Sequence, residues 1–188
     1  MRAPTLCLAA LAALGCASSP TPTPAPPAFP QAWYGTWLGT AQGWGPDGPR
    51  ETFTMRYELG PTDVAGRHQW RIVYSDGERR DVRDYELVES DAANGEFVVD
   101  EHDGVLLEAR LLGGALYTRF DIGGVRLSVR DELVRDGADG PAILVEFVTG
   151  PDAPSRSTAT DPAASSFPAR HVQRARLRRV SAAAAPAG

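Results

Sequence analysis

Asp100, Glu101, His102 and Asp103 place four possible metal ligands in a row, and Arg79, Arg80, Asp81, Arg83 and Asp84 form a second dense group of both signs. The first group straddles a turn, where adjacent strand residues point to opposite faces, so the four side chains do not converge on one ion and read as a solvated hairpin tip. The second reads as an alternating-sign exposed edge, a pattern that discourages sheet-to-sheet association. His68 is the most informative of the three histidines, because it alternates with Trp70, Ile72 and Tyr74. It could hold the polar head of a ligand or be a hydrogen-bonded residue at a rim. No Gly-x-Ser-x-Gly, no His-Glu-x-x-His and no glycine-rich phosphate loop occurs. Accordingly no catalytic residue, no metal site and no cofactor is expected, and the protein reads as a non-enzyme.

The elements that carry these residues are written in period two. In TFTMRYEL, Phe53, Met55, Tyr57 and Leu59 alternate with Thr52, Thr54, Arg56 and Glu58, the pattern of a half-buried strand. The same alternation sets Leu116, Thr118, Phe120 and Ile122 against Tyr117, Arg119 and Asp121. It also sets Val125, Leu127, Val129 and Leu133 against Arg126, Ser128, Arg130 and Glu132. Asp76-Gly77, Asn94-Gly95, Asp103-Gly104, Gly113-Gly114 and Gly123-Gly124 are the dipeptides of tight hairpins, which makes consecutive strands antiparallel neighbours. About ten strands follow, near 34–44, 51–59, 67–75, 80–89, 95–100, 105–112, 115–122, 125–134, 142–149 and 170–180. A meander of that length with one apolar face encloses that face and removes its edges by closing into a barrel. The fold class is therefore all-β, an antiparallel up-and-down meander barrel.

Composition agrees with one domain. The chain has 188 residues, 43% hydrophobic and 23% charged, with a formal net charge of -5, which disfavours a nucleic-acid partner. Four regions are read: 1–15 as a leader, 16–32 as a modified cysteine and spacer, 33–180 as the barrel, and 181–188 as a disordered tail. Arg2 precedes an apolar run from Leu6 to Leu14 that is too short to span a bilayer and suits a secretory signal. Ala13-Leu14-Gly15-Cys16 resembles the lipobox of bacterial lipoproteins, which implies a diacylglycerol on Cys16 and attachment to a membrane; an ordinary signal peptide is the alternative. Cys7 would leave with the leader, so Cys16 would have no partner for a disulfide. By analogy with the sorting of enteric lipoproteins, Ala17 and Ser18, with no Asp directly after the cysteine, imply the outer membrane of a bacterial envelope. Residues 17–32, rich in proline, form an extended spacer, and the loop 150–169 reads as disordered.

Tyr34-Gly35-Thr36-Trp37 resembles the Gly-x-Trp opening of lipocalins and fatty-acid-binding proteins, the calycin-type barrels. That resemblance implies that Trp37 closes one end of the barrel against an arginine near the last strand, for which Arg174, Arg176 and Arg178 are candidates. The count of ten strands fits the fatty-acid-binding family better than the eight of a lipocalin, but only GPDGPR separates the first two, which leaves no room for the helical portal of the fatty-acid-binding family. On the last strand, Ala175 and Leu177 facing inward would turn Arg174, Arg176 and Arg178 to solvent, whereas the opposite parity would form a carboxylate clamp. Burying three unpaired guanidinium groups is costly, so the outward reading is preferred. Through Tyr85-Glu86-Leu87 and the stretch VVDEHDGVLLE at 98–108, the chain also resembles lipocalin-like domains of bacterial lipoproteins. Two functions remain. One is a binding module, with a small apolar or amphipathic ligand held by Met55, Tyr57, His68, Trp70, Tyr74, Leu116 and Phe120. The other is a structural or interaction protein whose barrel is filled by its own side chains and whose partner is a protein.

Overall fold

The computed structural model describes residues 28–136, 140–159 and 161–180. Cys16, the leader, the spacer up to residue 27 and the tail 181–188 lie outside the described residues. Ten strands form one closed antiparallel barrel: β1 (Gly35–Gly45), β2 (Gly48–Pro61), β3 (Arg67–Ser75), β4 (Arg80–Asp91), β5 (Glu96–Asp100), β6 (Leu106–Leu112), β7 (Ala115–Ile122), β8 (Val125–Asp136), β9 (Gly140–Pro151) and β12 (His171–Arg179). Each pairs with the next in sequence up to β9, and β12 fits between β9 and β1 to close the ring. Only Pro46 and Asp47 lie between β1 and β2.

The alternation puts the apolar parity inside. Trp37, Ala41, Met55, Tyr57, Leu59, Trp70, Ile72, Leu87, Phe97, Ile143, Val145, Ala175 and Leu177 are buried in a single core cluster. Gly113-Gly114 and Gly123-Gly124 adopt the positive φ angles that a tight hairpin requires. Closure itself depends on a close backbone approach. A Cβ added at Gly39 would stand 2.2 Å from the carbonyl oxygen of Arg176, so β12 can lie against β1 only because this position has no side chain.

Two segments depart from their sequence reading. Ala28 to Trp33, the end of the region read as spacer and the start of the barrel, folds over one end of the barrel. Phe29 packs edge-on against Trp33 and Phe97, with ring centroids 4.8 and 5.0 Å away, and Gln31–Trp33 form a 3-10 turn. The loop read as disordered contains a small hairpin of its own, β10 (Arg156–Thr158) with β11 (Ala164–Ser166). Ser157 and Ser165 hydroxyls meet across it at 3.1 Å, and Arg126 stacks over Phe167 at 4.1 Å. Short polar side chains that bond within the hairpin and one cation–π contact replace the apolar stripe that composition lacks.

Candidate ligand-binding site

One end of the barrel is sealed by the start of β1. Trp37 is fully buried, its indole N–H donates to the Trp33 carbonyl at 2.7 Å, and the Arg179 guanidinium lies 4.6 Å over its ring. Arg179 in turn donates to the carbonyls of Tyr34 and Ala32 at 2.8 and 3.3 Å. Gly35, at φ +130°, brings the chain into β1 beneath that guanidinium. The closing arginine is thus Arg179, not Arg174, Arg176 or Arg178. Strand parity explains the correction: Ala175 and Leu177 are buried, so Arg179 shares their inward face. Arg174 and Arg176 are exposed, and Arg174 donates to Glu146 at 2.6 Å.

Above this seal the barrel is hollow. A cavity of about 670 Å³ is lined by Tyr57, Trp70, Ile72, Tyr74, Leu116, Phe120 and their neighbours, a size in the range of small-molecule sites, roughly 300–1,000 Å³. Its lining reaches Ser75 at the end of β3, Glu101 just past β5, Thr149 near the end of β9 and His171 at the start of β12, so its mouth is opposite Trp37. Five of the seven residues expected to hold a ligand line it. Met55 does not; it is fully buried in the core cluster. His68 does not either. It is 6% exposed near the sealed end, with Nδ1 2.6 Å from the Tyr34 hydroxyl and Nε2 2.9 Å from a Glu89 carboxylate oxygen. Its place on the apolar face of β3 reflects this bridge between Tyr34 and β4.

The cavity contains a polar residue that sequence reasoning passed over. Asp131 sits on the inward parity of β8 and is 5% exposed. Tyr57, on the far side of the ring, donates its hydroxyl to Asp131 Oδ1 at 3.0 Å, so the pair spans the lumen between β2 and β8. Burial pushes the Asp131 carboxyl from 3.8 up to about 7, against the lowering pull of the Tyr57 hydroxyl and the Arg130 charge. Burial, with the Asp131 charge next, also raises the Tyr57 hydroxyl well above its usual range. The signal was present in the sequence, as one carboxylate inside an otherwise apolar alternation. At the mouth Glu51 accepts from Gln173 Nε2 and lies against His171 Nε2, both at 2.8 Å, and Asp81 meets Arg83 at 2.8 Å. The Asp100–Asp103 run forms a turn, in which the Asp100 and Asp103 carboxylates accept from the backbone N–H groups of His102 and Val105.

No family model matches the chain, and no curated protein matches it. Among solved structures it is similar to the S-type phycobiliprotein lyase CPES from Guillardia theta, with a TM-score of 0.52 and 8% sequence identity over 79% of this chain and 89% of that chain. At that identity the likeness is one of fold alone.

Proposed function

We propose that the protein is a lipid-anchored binding module of the bacterial envelope, held at the outer membrane through Cys16, whose barrel takes up a small amphipathic molecule without transforming it. The observation that carries the binding reading is the 670 Å³ cavity, walled by Tyr57, Trp70, Tyr74, Leu116 and Phe120 and open at one end. A structural barrel filled by its own side chains would have no such space. A large apolar wall with few polar groups suits an amphipathic molecule better than a sugar or a free ion. That a barrel of this fold is named as a phycobiliprotein lyase supports a role for the interior by analogy only, since one fold hosts many functions. Support for the anchor is the sequence around Cys16, because two or three acyl chains give stable attachment where one is marginal.

One preparation tests both halves. Protein purified from its own host membranes is expected to carry acyl mass on Cys16 and, under native mass spectrometry, a further non-covalent small molecule that is lost on denaturation. The Cys16→Ala variant should move to the soluble fraction. A Cys16→Ala protein that is processed normally and stays with the membrane would refute the anchor, and a native mass with no adduct in repeated preparations would count against the ligand.

A further inference from the structure

We propose that the barrel selects ligands whose buried end is a cationic hydrogen-bond donor, so that it takes amphipathic amines in preference to carboxylates of the same length. This rests on the reading of the cavity as a binding compartment and adds which head group it accepts and in which orientation. An ionised carboxylate offers about four acceptor sites. Tyr57 occupies one at Asp131, a residue that lines the cavity. Among the described residues, the groups that face it supply no buried cation. Tyr57 and Tyr74 face it from β2 and β3, while its partners across β7 and β9 are Leu116 and Val145. Arg130, its neighbour on β8, bonds to Glu132 and Tyr117 on the outer face.

The arginines of the lining, Arg79 and Arg83, are near the mouth, where they stand with Glu51, Asp81 and Glu101. A ligand carboxylate driven inward would meet Asp131, a like charge in a desolvated site, and would have to leave its head at the mouth. An ammonium head can instead descend, pair with Asp131 and offset the burial of both charges, leaving its alkyl or aryl body against Trp70, Tyr74 and Phe120. The raised affinity of the Asp131 carboxyl for a proton is in keeping with a site that lacks its counter-charge.

The test is isothermal titration at pH 7.5 of the purified protein with dodecylamine, dodecanol and dodecanoate, each below its micellar concentration, repeated with Asp131→Asn. The substitution keeps an acceptor for the Tyr57 hydroxyl, so a carboxyl that serves only as a strut would leave the head-group preference unchanged. The expected result is amine binding at least ten-fold tighter than dodecanoate, with dodecanol between them. In Asp131→Asn the amine should lose about ten-fold and dodecanoate should hold or gain. Dodecanoate binding as tightly as the amine would overturn the inference, as would an amine preference that survives in Asp131→Asn, which would locate it in the mouth carboxylates. Dodecanol binding with no advantage for the amine would defeat this inference alone. If none of the three binds, the reading of the cavity as a binding site falls, and the inference with it.

Discussion

Replacing Trp37 with alanine is expected to cost about 3–5 kcal/mol, the range for truncating a buried aromatic side chain. The indole is fully buried, and its removal would leave a cavity at the sealed end and the Trp33 carbonyl without its 2.7 Å donor. It would also take away the surface over which Arg179 is stacked, and with it the cross-tie from β12 to the carbonyls of Tyr34 and Ala32. Trp37→Phe should lose less, since it keeps most of the packing and forfeits the bond to Trp33. Urea unfolding reads both: the midpoint should fall with little change in slope. A Trp37→Ala loss below about 1 kcal/mol would mean that the end of the barrel is held by something other than this stack.

The second large effect depends on pH. In the folded protein the Asp131 carboxyl titrates near 7 instead of its ordinary 3.8, so between those values the native state holds a proton that the unfolded chain has released. Stability from this group is therefore fully present below about pH 4, declines as the pH rises and is gone above 7. The gap between the two titrations corresponds to a burden on the order of 4 kcal/mol once the carboxyl is ionised in both states. Asp131→Asn removes the charge and keeps an acceptor for Tyr57. It should be more stable than the native protein at pH 8 by several kcal/mol, less so at pH 6, and no more stable at pH 4. An advantage that stays constant across this range would show that the carboxyl does not titrate there.

Much of the fold was legible because β-strands and hairpins announce themselves locally. The alternation of Phe53, Met55, Tyr57 and Leu59 has one reading, and the Gly-Gly pairs have the backbone freedom that the turns need. Long-range facts were less accessible. Arg174 and Arg176 attracted attention because they sit in a basic run, yet the parity of Ala175 and Leu177 assigns the stack on Trp37 to Arg179. His68 carries the pattern of a lumen residue, but whether it meets a ligand or bridges Tyr34 and Glu89 is decided by β1 and β4, which are distant in the chain. Asp131 was hidden by its company. Its neighbours Val129 and Leu133 make the inward face of β8 look uniformly apolar, and its partner Tyr57 is 74 residues away. Phe29 was masked in the same way by the prolines around it, although a large aromatic inside a spacer is itself a sign of a docked segment.

The interior of the barrel as a binding compartment is reached most directly through Trp70, the tryptophan that lines it. Titration of the purified protein with a neutral brominated alcohol, 11-bromoundecanol, should quench tryptophan emission saturably at micromolar concentration, because bromine quenches an indole on close contact. Trp70→Phe should abolish most of that quenching, whereas Thr54→Ala, on the outward parity of β2, should leave it intact. No saturable quenching up to the solubility limit would contradict a ligand-accepting interior. So would equal quenching in Trp70→Phe, which would place the alcohol against the outward-facing Trp44 on the barrel surface.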